Sequence, residues 1–310
     1  MVTGSGWGTG TVARVATLYL RSADDRPDVD SPLPARSVAL RFVVDSGRRA
    51  VVDASVDGVD VRMLVHANAG FLAMLTHDTA FRINGRRVVK ESDFGLGHDL
   101  ELSPSGRGHI RVRTLEVADA LIVDARIEVF DLPTVNWDGM LGLAWLASTG
   151  AVVDFGRARL SIPIDGNARA ALLPEVDAGV SAVPLTRDPE TGRFLCALSL
   201  NGDPDSCSRF VASTVGETIL DIECARRHGI ERGEQVGEEH GPGGAVVLAH
   251  RASRPVTFSA GGIELTTITP EISDIYAYSD TARPEGSEIV AGYLGADLLA
   301  ARRGVIDFGV

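Results

Sequence analysis

An eighteen-residue segment occurs twice in the chain, and it constrains the fold more than any other feature. "GMLGLAWLASTGAVVDFG" at 139–156 aligns without gaps on "GYLGADLLAARRGVIDFG" at 292–309, an offset of 153 residues (292 − 139). Nine of the 18 positions are identical, including the Gly-x-Leu-Gly opening and the closing Asp-Phe-Gly. A repeat of this period means two copies of one structural unit, each ending on the same element. The chain has 310 residues, 45% of them hydrophobic, which is enough for two cores of ordinary domain size.

The starts of the two units correspond more loosely. "LVHANAGFLAMLTHDTAFRI" (64–83) and "RFVASTVGETILDIECARRHGI" (209–230) each read as an apolar strand, a small-residue turn and a short helix with apolar residues three and four apart. An offset of 145 sets Asn68 against Ser213, Leu75 against Leu220 and Ala80 against Ala225, with a one-residue slip left open. Between these landmarks, stretches such as "HIRVRTLEV", "ALIVDARIEVFDL" and "PVTFSAGGIELTTI" alternate with period two and break at Gly or Pro. Helices are expected only at about 72–83, 143–149, 166–172, 218–228 and 296–302. The reading is a mainly β, two-lobed chain. Its N-terminal lobe is 1–165, with the first repeat at about 36–162, followed by a linker at 166–182 and a C-terminal lobe at 183–310.

Composition excludes several functions. No run of about 18 apolar residues is present, so no membrane-spanning helix is expected. The N-terminal stretch lacks the charged and apolar regions of a secretory signal. Three cysteines without a C-x-x-C pair suit a reducing, cytoplasmic setting and argue against a disulfide framework. The net charge of −12 is dispersed, which favours solubility, and no basic stripe exists for a nucleic-acid partner. Lys90 is the only lysine against a large excess of arginine, a bias of GC-rich, bacterial coding. No metal or other cofactor is implied, because the histidines are scattered and no His-x-x-x-His occurs.

The repeated "MLGLAWL" and "YLGADLL", each followed by a strand ending in Asp-Phe-Gly, resemble the hydrophobic-hydrophobic-Gly motif of the aspartic peptidases. Two such units in one chain imply the bilobal, pepsin-like arrangement of homologous β-barrel-like lobes, rather than a retropepsin homodimer. The resemblance also implies two Asp-Thr/Ser-Gly turns, one per lobe, whose carboxylates share a proton across the interlobe cleft. This sequence departs from the family at both. In the first unit the aspartate position falls on Asn68, if "NAG" is the degenerate triplet, or on His66, if "HAN" is. In the second it falls on Ser213 or Ala212. Only Gly70 and Thr214 keep residue types of the triplet. None of these side chains can share an acidic proton, so a dyad is excluded unless Asp78 or Asp221 on the following helix supplies the acid.

The candidate chemistry therefore rests on other groups. His66 is a general acid or base near neutral pH, or a histidine bonded to its own turn, with Asn68 beside it to polarise a carbonyl. Ser213 and Thr214 offer hydroxyls, and a Ser213 nucleophile would need His66 across the lobes. His77, Asp78, His98 and Glu217 are candidate ligand contacts, with solvated or helix-capping roles as the alternative. The "flap" at 93–110 carries His98 and His109 over the cleft, and 237–247 is its counterpart. Asp154 and Asp307 are expected to accept turn N–H bonds. Three functions stay open. One is a cleft protein that binds a peptide or small molecule and carries out His-assisted, non-proteolytic chemistry such as isomerisation, cyclisation or elimination. The others are a non-catalytic binding pseudo-peptidase and a hydrolase with an unrecognised acid.

Overall fold

The computed structural model describes residues 16–21, 36–44, 48–84, 88–93, 105–131, 137–176, 179–203, 207–240, 244–260, 263–278, 283 and 290–309. Local rules set the hairpins. Strands Arg48–Val56 and Val59–His66 join through Asp57-Gly58, both at positive φ (51° and 80°), the two-residue turn that matches the strands' own twist. Asp57 fixes the turn further, because its carboxylate accepts from Arg113 N at 2.7 Å and Thr114 N at 2.9 Å. In strand Arg107–Val117 most alternate side chains face the core, as the period-two pattern requires.

The chain is mainly β, with six short helices among the described residues. An eight-stranded sheet is built from residues 41–142, and a ten-stranded sheet from residues 186–294. A third, six-stranded sheet mixes the two halves. Its order is Val180–Pro184, Thr17–Arg21, Val305–Asp307, Val152–Asp154, Arg159–Ser161 and Ser37–Ala39. One continuous apolar core runs from Ala16 to Phe308, so the halves are fused rather than tethered. The 166–182 stretch is not wholly a linker. It contains helix Gly166–Leu172, capped by Asp165, and the start of strand Val180–Pro184.

The expected helices lie at His77–Asn84, Leu143–Thr149, Gly166–Leu172, Ile222–Arg227 and Ala296–Ala301. Two begin later than the periodicity suggests. Residues 73–75 and 219–221 are strands instead, because each threads into a sheet beside the repeated Gly-x-Leu-Gly segment and buries its apolar residues there. Asp154 and Asp307 hold the strand ends as expected. Arg157 N donates to Asp154 Oδ1 at 2.9 Å, and Gly309 N donates to Asp307 Oδ1 at 2.9 Å. Each is also bound by an arginine that the sequence did not single out. Arg21 reaches Asp154 at 3.3 Å, and Arg169 pairs with Asp307.

Candidate functional site

Two strands deliver the centre of the molecule. Val59–His66 and Ser208–Ala212 each run parallel to one copy of the repeated segment, Gly139–Gly142 and Val290–Leu294 respectively. Leu141 pairs with Val65, and Leu294 with Ala212. Because Leu141 and Leu294 are aligned repeat positions, Val65 and Ala212 are equivalent, and so are His66 and Ser213 that follow them. That offset is 147. One strand later Leu75 pairs with Gly139 and Leu220 with Gly292, which restores the offset of 145. The first turn is therefore two residues longer than the second. Asn68 does not face Ser213, and the slip is of two residues rather than one.

The repeated glycines have a steric reason to be glycine. A Cβ on Gly142 would lie 2.0 Å from Phe71 O, and one on Gly295 would lie 2.3 Å from Glu217 C. The turn backbones pack directly onto these residues, and any side chain would push them out of the centre.

Thr214 joins the halves. It is wholly buried, its Oγ1 donates to Val65 O at 2.7 Å, and it accepts from Ala67 N at 2.9 Å. Ala67, the equivalent residue in the first turn, has no hydroxyl to return the contact. Gly216 N donates to Arg48 O at 3.0 Å, and Arg49 and Val215 form a bridge beside it. Ser213, 1% exposed, donates to Val215 O at 2.9 Å and accepts from Val215 N at 3.3 Å. Both hydroxyls nominated from the sequence are thus committed to the backbone. A nucleophilic Ser213 would first have to break its own turn.

His66 is half-buried, and its Nδ1 has no hydrogen-bond partner among the described residues; the same is true of Asn68 Oδ1. Burial, with Arg49 and then Arg193 nearby, pushes the imidazole down to about 3. The ring is therefore neutral near pH 7, and a group with so acidic a conjugate acid is a poor base. Burial is the main cause, and the two cations that add to it were missed in the sequence reading. Arg193 donates from Nε to Asn68 O at 3.2 Å and from Nη1 to Tyr293 Oη at 3.5 Å. Arg49 lies 5.4 Å over the Trp137 ring. No local pattern marks either one: Arg49 comes from the neighbouring hairpin strand, and Arg193 from more than a hundred residues away.

The neutral ring ties stability to pH. Unfolded, a histidine titrates near 6.5, well above the native value of about 3. Between these values the unfolded chain binds a proton that the native state refuses. The residue's contribution is therefore complete above about pH 6.5 and is lost as the pH falls towards 3. The urea midpoint of the wild type is expected to drop more between about pH 6.5 and 4 than that of His66→Asn. Equal slopes for the two proteins would mean that the native imidazole titrates freely.

The remaining nominated residues lie apart from this centre. His77 Nε2 contacts Gly106 O at 2.9 Å, and its backbone N donates to Asp131 at 3.0 Å, anchoring helix His77–Asn84. Asp78 is exposed in the first turn of that helix. Asp221 is fully buried, caps helix Ile222–Arg227 and pairs with Arg283. Neither aspartate lies at the end of a parallel-paired strand, where His66 and Ser213 stand. His98 lies outside the described residues, and His109 pairs with Glu91 at 3.0 Å. Glu217 hydrogen-bonds Asp297, and burial first, then Asp297, holds its carboxyl above the usual range. Thr218 supports that pair by donating to Asp297 Oδ1 at 2.7 Å. Burial and Glu271 push Glu239 up to about 7.

No known family profile matches the sequence, and no curated protein matches it. Solved structures do. An aspartic proteinase from Irpex lacteus is similar over 87% of this chain and 96% of its own, at 13% identity and a TM-score of 0.43. A retropepsin-like aspartic protease from Rickettsia conorii covers 40% of this chain and 86% of its own, at 15% identity and a TM-score of 0.29. The retroviral protease-like domain of Ddi1 from Leishmania major covers 37% and 88%, at 19% identity and a TM-score of 0.28. Among the described residues, no helix is long and apolar enough to cross a membrane. Nor do three or more His, Cys, Asp or Glu side chains come together there as a metal site. Cys196 and Cys224 are buried, with thiols pushed up to about 12 and about 11, and are chemically quiet.

Proposed function

We propose that this chain is an internally duplicated, pepsin-like protein without an acid dyad, which holds a peptide or small molecule in the cleft between its lobes. The observation that carries this reading is the equivalence of His66 and Ser213 at the ends of the two parallel-paired strands. The sequence resemblance puts the two catalytic carboxylates at those ends, and here neither residue is an acid. Between the readings left open by the sequence, binding is favoured over His-assisted catalysis. The imidazole is held neutral at about 3, and the Ser213 hydroxyl is closed into its own turn. Thr214 serves as a clasp between the lobes. The cytoplasmic setting read from the cysteines belongs to the same proposal.

The hydrolase reading has one observation in its favour, the carboxyl pair of Glu217 and Asp297 just beyond the second turn. One experiment separates the two. Purified protein is incubated with a diverse peptide library from acidic to neutral pH, products are read by mass spectrometry, and retained peptides by equilibrium dialysis. Wild type, His66→Ala and Glu217→Gln are run together. The expected result is peptide retention with no new cleavage products from any of them. Cleavage by wild type that disappears in Glu217→Gln would restore a hydrolase with a relocated acid. Cleavage lost only in His66→Ala would restore histidine chemistry.

A further inference from the structure

Strand Phe194–Leu200 joins two separate places in the second half. It begins after Arg193, which bonds Asn68 in the first turn, and ends before Asn201. The eight steps from one to the other, at about 3.3 Å each, span roughly 26 Å. At the far end a surface pocket of about 460 Å³ is lined by Asn201, Gly202, Arg254, Pro255, Thr257 and Glu264. That volume falls within the range of about 300–1,000 Å³ that small-molecule sites occupy. All six residues belong to the second half, and none of them takes part in the paired turns.

The walls of this pocket are fixed by their own bonds. Asn201 and Gly202 make a turn with both φ positive (53° and 73°). Asn201 N donates to Thr257 O at 2.8 Å, and Thr257 N donates to Asn201 Oδ1 at 3.1 Å, so the turn and strand Val256–Ala260 hold each other. With Oδ1 taken, the Asn201 amide keeps its NH2 as a donor. Strand Ile263–Ile268 pairs with Val256–Ala260, and the Thr257 and Thr267 hydroxyls meet at 2.8 Å. Thr267 Oγ1 donates to Glu264 Oε1 at 3.3 Å, which orients that carboxylate.

Two opposite charges line the pocket without meeting. Arg254 is exposed, and its bond to Gly229 O, at 3.5 Å, engages one of its five N–H donors. Glu264 is exposed and keeps Oε2 open. Neither makes an ion pair among the described residues. Arg302 lies near enough to Glu264 to feel its charge, without pairing with it. A purely anionic ligand would be drawn to Arg254 and repelled by Glu264, and a purely cationic one the reverse. A molecule with one group of each sign complements both walls. The lining is polar apart from Pro255, which fits a small polar ligand rather than a greasy one.

We propose that this pocket is a second binding site, for a small zwitterion that carries a carboxylate and an ammonium group. Arg254 takes the carboxylate through its fork, and Glu264 takes the ammonium. A free amino acid and a short peptide both supply this chemistry. The site does not depend on the cleft-binding reading, since it shares no residue with the turns.

The test uses the full chain and ligand-observed saturation-transfer NMR at neutral pH. The probes are alanine, alanyl-alanine, N-acetyl-alanyl-alanine and alanyl-alanine amide, each titrated to millimolar concentration. Alanyl-alanine is expected to bind about fivefold more tightly than either capped form, because each cap removes one charge-assisted contact at an exposed site. Arg254→Gln is expected to abolish the preference over the amide, and Glu264→Gln the preference over the N-acetyl form. Both side chains are exposed, and thermal melting verifies that each variant is folded. Alanine binding as tightly as the dipeptide identifies a free amino acid as the ligand; tighter dipeptide binding identifies a short peptide. Equal binding of capped and uncapped probes overturns the zwitterion site. Binding that survives unchanged in folded Arg254→Gln and Glu264→Gln places the probe elsewhere, and overturns the pocket while leaving the cleft-binding reading standing. Absence of binding by every probe overturns the pocket as well.

Discussion

Thr214→Val is expected to lower stability by about 1–3 kcal/mol for each of the two backbone groups it orphans. Valine has nearly the shape of threonine, so packing is kept and only the hydroxyl is removed. The hydroxyl both donates to Val65 O and accepts from Ala67 N, in a position sealed from water. Neither backbone group can turn to solvent when its partner is lost, so the full desolvation cost falls on the native state. Thr214→Ser retains the hydroxyl and loses one methyl, and is expected within about 1 kcal/mol of wild type. Equilibrium urea denaturation of the three proteins distinguishes the outcomes. If the valine variant keeps the wild-type midpoint, Thr214 does not clasp the halves. Ala67 makes the test clean, because no second hydroxyl answers Thr214 from the opposite turn.

Asp154→Ala is expected to cost about 3–5 kcal/mol. The side chains of Arg21 and Asp154 are 2% and 1% exposed, and their pairing crosses the six-stranded sheet at the point where both halves contribute strands. Removal of the carboxylate leaves the guanidinium buried without its ion pair to Asp154, while its bond to Arg303 O at 2.7 Å remains. It also frees Arg157 N from the turn. The double variant Arg21→Met/Asp154→Ala is expected to recover part of the loss, since a buried charge is then no longer stranded. Thermal melting of the single and double variants measures this. A double variant less stable than Asp154→Ala would show that Arg21 contributes through packing and Arg303 rather than through the ion pair.

Much of the architecture was legible in the residues. The eighteen-residue repeat, the period-two strands and the structural role of Asp154 and Asp307 follow from spacing and residue type. So do five short helices, since Gly, Pro and apolar periodicity act within a few residues of one another. The absence of a carboxylate from "HANAG" and "ASTVG" was also visible.

The register itself was not legible. Small residues on both sides of each turn permit several alignments, and only pairing with Gly139–Gly142 and Val290–Leu294 makes His66 the equivalent of Ser213. Which hydroxyl is spent, and on what, is likewise a tertiary fact. Ser213 bonds within its own turn, while Thr214 bonds about 150 residues away, and the two are chain neighbours of similar chemistry. Arg49 and Arg193 are further still from any sequence signal. Arg49 and Arg193 sit 144 residues apart (193 − 49) with nothing in their local patterns to distinguish them from the chain's many other arginines. The sequence by itself determined a β-rich chain with one segment repeated and no carboxylate in "HANAG" or "ASTVG", because those properties are set by residues close along the chain. Only the tertiary structure decided that His66 and Ser213 end equivalent strands and that Arg193 bonds the Asn68 carbonyl, because those contacts join segments that meet only after folding.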